Sequence, residues 1–135
     1  MALQYSVTVR NAQLDAVETT VGTAPLLRIY SGSAPANCAA AASGTLLAEA
    51  TLPSDWMAAA SSGSKALSGT WQDASANATG TAGHWRLYDS SGTTCHAQGT
   101  VTATGGGGDM TLDNTSIASA QSVTITSFTI TAGND

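Results

Sequence analysis

Only one stretch of this chain spaces its apolar residues at helical intervals. Val7, Leu14, Val17 and Val21 recur near one or two turns, with Asp15 and Glu18 off that stripe. Gly22 can close the segment, and Pro25 blocks any continuation. The pattern predicts a short helix near residues 8–20, behind an N-terminal arm at residues 1–6. The β-branched run Val7-Thr8-Val9 weakens the helix start and leaves its first turn open to extended structure.

After Pro25 the pattern changes to short runs with period two. Leu26 to Tyr30 reads as a strand ending at Ser31-Gly32-Ser33, followed by a small-residue loop over 34–44. Residues 45–52 place Leu46, Ala48, Ala50 and Leu52 on one face and Glu49 on the other. Further strands are expected over 65–71, 83–89, 93–104, 110–112 and 121–131. In 83–89, Trp85 and Leu87 alternate with His84, Arg86 and Tyr88. Residues 72–82 read as an exposed loop tip, and the four glycines at 105–108 as a flexible connection. The last run changes phase: Val123 and Ile125 share one parity, Phe128 and Ile130 the other. A slip of one residue turns side chains to the opposite face, so Ser127 is a candidate bulge or bend between two sheets. Seven or eight short strands without a sequence repeat predict a mainly β, single-domain β-sandwich or jelly-roll-like fold over residues 7–135, with one short N-terminal helix.

Composition changes this picture in one respect. Hydrophobic residues make up 42% of the 135, but 25 residues are Ala and only 30 are Val, Ile, Leu, Met, Phe, Trp or Tyr. Small side chains remove little area from water, so the core is thin. Charged residues are 10% of the chain, which leaves a nearly uncharged surface. That combination suits a structural domain that completes its burial against other chains. The formal net charge is −5, and the only cations are Arg10, Arg28, Lys65 and Arg86. Four dispersed cations make a poor phosphate-binding surface, which argues against nucleic acid as a partner. No apolar run approaches the roughly 20 residues of a membrane helix. Met1 to Arg10 lacks the basic and apolar regions of a signal peptide, so a cytoplasmic origin is expected.

The candidate chemistry is sparse. Cys38 and Cys95 are either two reduced small hydrophobes or a possible disulfide closing a long loop. With His84 and His96 they supply the inventory of a zinc site but not its spacing, because Cys95 and His96 are adjacent. Ser62 to Lys65 matches the Ser-x-x-Lys pattern without its supporting elements. Gly105 to Gly108 lacks the Lys-Ser/Thr of a phosphate loop. Asp109, Asp113 and Asn114 fit turn chemistry better than a cation site. No nucleophile elbow exists and no base can be placed beside a nucleophile, so neither catalysis nor a cofactor is expected. Among the large aromatics, Trp85 reads as core. Trp56 follows a turn and Trp71 borders the 72–82 loop, so both are candidate interface anchors as well as candidate core residues. Leu3 and Tyr5 stand in the arm among small polar neighbours. They are the remaining interface candidates, in a segment expected to be mobile until it docks on a neighbour.

Across nearly its full length the chain resembles a family of small virion proteins of tailed bacteriophages. The segments that carry the likeness are Thr-Val-Arg-Asn-Ala-Gln-Leu-Asp-Ala-Val-Glu-Thr (8–19), Leu-Arg-Ile-Tyr-Ser-Gly-Ser-Ala-Pro-Ala-Asn-Cys (27–38), Leu-Pro-Ser-Asp-Trp-Met (52–57) and Gly-Thr-Val-Thr-Ala-Thr-Gly-Gly-Gly-Gly-Asp-Met-Thr-Leu (99–112). The resemblance implies a virion component with no catalytic residues to transfer. The reading preferred on this basis is a head decoration (cement) protein, made in the bacterial cytoplasm and carried in the virion. Its partners would be the major capsid protein or other virion proteins, and it would form a dimer or trimer. A tail, neck or baseplate protein is the alternative. A carbohydrate- or receptor-binding module is a third reading, and it would need Trp71 or Tyr88 as an exposed platform.

Overall fold

Ser6 begins the helix. In the computed structural model, which describes residues 3–133, its Oγ accepts the Val9 N–H at 3.2 Å. This cap satisfies one of the free donors of the first turn. The β-branched run therefore enters the helix, and α1 spans Val7–Val21. Gly22 ends it at φ +90°, its N–H donating to the Glu18 carbonyl at 3.0 Å. Of the expected stripe only Leu14 and Val21 are buried, while Val7 and Val17 face solvent.

The helix docks largely through polar groups. Asn11 Oδ1 accepts the Gly63 N–H at 2.9 Å, and Arg10 donates to the Ala132 carbonyl at 3.4 Å. Asp15 and Glu18 reach the ammonium of buried Lys65 at 2.7 and 2.8 Å. Burial works against that charge, but the hydrogen bonds that Lys65 donates to Asp15 and Glu18 outweigh it and raise the Lys65 pKa.

Ten strands follow the helix: β1 (Leu26–Ser31), β2 (Leu46–Thr51), β3 (Ser64–Ala66), β4 (Trp71–Asp73), β5 (Gly80–Tyr88), β6 (Cys95–Ala103), β7 (Met110–Leu112), β8 (Ser116–Ile117), β9 (Val123–Ile125) and β10 (Thr129–Thr131). The main sheet runs β2-β1-β5-β6-β7, with β8 on the first residues of β5. All its pairs are antiparallel except β6 with β7. Two short antiparallel ladders, β3 with β10 and β4 with β9, complete the fold. The protein is thus mainly β, with one short helix.

Register decides what the main sheet buries. Leu27 pairs with Leu87 and Ala50, and Ile29 pairs with Trp85 and Ala48, so one face is apolar throughout. A chain of ring contacts leads from it across the core. Trp85 meets Phe128 edge-on at 5.3 Å, Phe128 meets Trp71 at 5.5 Å, and Trp71 meets Trp56 at 5.9 Å. Four aromatic residues bridge a core that Ala alone would leave thin.

The phase change near Ser127 marks a change of partner. β9 pairs with β4 while β10 pairs with β3, and Phe128 turns inward between them. The expected loop tip at 72–82 is instead pinned down. Ala76 is buried, and the Ala76, Asn77 and Ala120 N–H groups donate to the carbonyls of Gln121, Leu47 and Ala76. Its Ala and Ser residues are small enough for backbone to pack closely on β2, a fit that composition alone reads as looseness.

Candidate functional site

The opposite face of the main sheet carries the unusual chemistry. Cross-strand register aligns Arg28 with Arg86 and Glu49, Tyr30 with His84, Arg86 with Gln98, and Tyr88 with Cys95. The alternation that sends Trp85 and Leu87 into the core sends these polar groups to the other side. They are not left in water. His84 is 0% exposed and Arg86 1%.

Residues 32–44 cover this face. The Gly32 carbonyl lies 2.8 Å from His84 Nδ1, which must therefore carry a proton to donate. Gln98 Nε2 donates to the Pro35 carbonyl at 2.7 Å. Arg86 Nη2 donates to the Cys38 and Ala40 carbonyls, each at 2.9 Å. Gly83 is what allows the close approach: a Cβ there would overlap the Gly32 carbonyl oxygen. The cover is rich in Ala and Ser, so its carbonyls can reach buried donors without side chains intervening.

The electrostatics follow from this burial. Arg28 forms an ion pair with Glu49 at 2.6 Å, and its guanidinium lies 4.6 Å from the Tyr88 ring centre. Arg86 approaches the same ring at 5.5 Å. Tyr88 is thus a cation–π partner for two arginines. Burial raises the Tyr30 pKa, helped by a hydrogen bond with Tyr88. A cavity of about 350 Å³ lies among Arg28, Arg86, Tyr88, Cys38, Cys95 and the 39–42 backbone. Burial and a hydrogen bond with the Cys95 thiol push the Cys38 thiol up to about 11. Both cysteines are free thiols, half-buried, 57 positions apart in sequence and neighbours in space. The chemistry open to this cluster is thiol oxidation and the binding of groups that complement buried arginine.

The structure sorts the other candidate residues. Leu3 and Tyr5 are exposed, at 62% and 42%. Trp56 and Trp71 are each 1% exposed, so of their two readings the structure supports core and not interface anchor. Their indole N–H groups donate inward, Trp56 to the Gly22 carbonyl at 2.9 Å and Trp71 to the Trp56 carbonyl at 3.1 Å. Trp71 and Tyr88 are both buried, so neither offers the open platform a sugar-binding reading needs. His84 sits under the cover, whereas His96 borders an apolar groove with Ala16, Val17 and Val21 of α1. Among the described residues no group of three or more His, Cys, Asp or Glu is placed to hold a metal ion. Asn114 Oδ1 accepts from the Ser116 N–H, as turn chemistry predicts, whereas Asp109 accepts from the N–H and hydroxyl of Thr100, nine residues back on β6. Composition alone counts Arg86 among four dispersed cations and does not place it inside the protein. The available signal was its alternation with Trp85 and Leu87 together with a nearby stretch of small residues able to cover it.

Comparison with protein-family models, with curated proteins and with solved structures finds no match for this chain.

Proposed function

We propose that this protein is a non-enzymatic structural component of a tailed-phage virion, and specifically a head decoration protein that stabilises the capsid lattice by burial between subunits. The observation that carries the reading is the distribution of apolar side chains. Six of the seven aromatic residues are buried, whereas among the described residues the exposed large apolar ones are Leu3, Tyr5, Val7, Val9 and Val17. All five belong to the arm and α1, so the surface best suited to docking is gathered at one element. The four string-like segments described above supply the family context.

The mechanism is additive burial. Covering a Leu or Val side chain contributes about 1.5–3 kcal/mol, so a few such contacts give only modest affinity per copy. A symmetric shell repeats the contact many times and multiplies it through avidity. The proposed partners are the major capsid protein and further copies of this chain in a dimer or trimer.

Counting copies in purified virions tests the placement. Hundreds per particle support a head role, whereas a few to tens point to tail, neck or baseplate. A variant lacking residues 2–5, which keeps the Ser6 cap, tests the surface. It is expected to keep the melting temperature of the isolated domain and to load poorly onto particles. Loading at wild-type occupancy would refute the arm's role.

A further inference from the structure

The two thiols have a use that the virion reading does not supply. We propose that Cys38 and Cys95 are an oxidation site: they form an intramolecular disulfide that locks the 33–44 cover onto the polar face of the main sheet.

Two independent features bring the thiols together. Cys95 opens β6 and pairs with Tyr88, so the sheet holds it. Cys38 lies in the cover, where Arg86 holds its carbonyl and that of Ala40 at 2.9 Å. Both residues line the same cavity of about 350 Å³ and their thiols are close enough to interact, while the Cys95 thiol donates to the Ala97 carbonyl at 3.4 Å. Both are half-buried, so a small oxidant can reach them without unfolding the domain.

The cover is where a cross-link has most to do. Residues 32–45 form no strand with the sheet. Its ties to the sheet include the His84, Arg86 and Gln98 hydrogen bonds, all made to its carbonyl oxygens. Opening the cover would expose a buried guanidinium and imidazole to water, a low-cost motion beside global unfolding. A bond at Cys38, midway along the cover, removes that motion.

The step balances with a small disulfide such as oxidised glutathione as the oxidant. One cysteine thiolate attacks a glutathione sulfur, expels one glutathione thiolate and leaves a mixed disulfide. The second cysteine thiolate then attacks the protein sulfur of that mixed disulfide and expels the second glutathione thiolate. The protein loses two protons and two electrons, and the oxidant leaves as two molecules of glutathione.

The test uses the full-length protein, fully reduced and then held in excess oxidised glutathione. Thiols are titrated in denaturant, and the intact mass is measured. Both thiols are expected to disappear with loss of two hydrogens, and the product is expected to run as a monomer on a non-reducing gel. Closing this loop is expected to raise the melting temperature by on the order of 10 °C over the reduced form. The Cys38→Ser/Cys95→Ser double variant is expected to show no redox-dependent shift. Proteolysis within 33–44 should slow on oxidation of the wild type alone. The proposal is overturned if both thiols persist, if they end as stable glutathione adducts, or if the bond forms only between molecules. None of these outcomes depends on the virion reading, because every readout is on the isolated protein.

Discussion

Changing Trp71 to Ala tests whether this residue belongs to the core, where the structure places it, or to an interface. The side chain is almost wholly buried, and its ring contacts Phe128 at 5.5 Å and Trp56 at 5.9 Å. A buried Trp hides about 200 Å². At ~25 cal/mol per Å² that corresponds to about 5 kcal/mol, an upper bound because the unfolded chain already hides part of it. Truncation of large aromatics in cores costs about 3–5 kcal/mol. The loss of the indole donor also leaves the Trp56 carbonyl without its 3.1 Å partner. An expected cost of about 4 kcal/mol is a large share of the 5–15 kcal/mol that holds a typical domain together. For a chain of this length it corresponds to a fall in melting temperature of roughly 12–20 °C. Denaturant titration of the isolated protein, followed by far-UV circular dichroism, measures it directly. Trp71→Phe keeps most of the apolar area and loses the N–H, so it should cost about 1–2 kcal/mol. An exposed anchor would behave differently, changing the stability of the free protein by less than about 0.5 kcal/mol. A Trp71→Ala variant with wild-type stability would refute the packing argument and return Trp71 to the surface.

Three further predictions rest on other parts of the fold. A hydrogen bond from Lys65, with a second from the Ala60 N–H, holds the Asp15 carboxyl below its ordinary 3.8, so its contribution is present above that pH and is lost as pH falls through the folded value. Asp15→Asn should therefore flatten the acid limb of a plot of melting temperature against pH, and an unchanged limb would show that the contact does not couple to folding. The reduced Cys38 thiol has the opposite sign: raised from 9.0 to about 11, chiefly by burial, it favours the folded state below pH 9 and loses that contribution as pH rises towards 11. Cys38→Ser should be less sensitive than the reduced wild type to alkali in that window, as measured by thermal melts. Gly83→Ala should destabilise by about 1–3 kcal/mol, because its Cβ meets the Gly32 backbone. Gly105→Ala meets no atom and should cost only about 1 kcal/mol for its φ of +87°. Equal losses at the two glycines in urea titrations would contradict the close approach of the cover to β5.

What the sequence determined by itself is whatever depends on neighbours along the chain. The helix near 8–20, the alternation of Trp85 and Leu87 with His84, Arg86 and Tyr88, and the break near Ser127 all follow from side-chain period and turn chemistry. So does the turn role of Asn114, whose amide oxygen accepts from Ser116 two residues on. Period assigns a residue to one face of a strand, but it does not say what covers that face. Only the tertiary structure decided that Arg86 and His84 are buried beneath a cover 40 or more residues away. It also decided that Asp15 and Glu18 meet Lys65, and that Trp56 and Trp71 complete the core. The physical reason is the same in each case. Burial is set by contacts between distant segments, and in a chain so rich in Ala, Ser and Gly those segments can pack closely without any large side chain to announce it in the sequence.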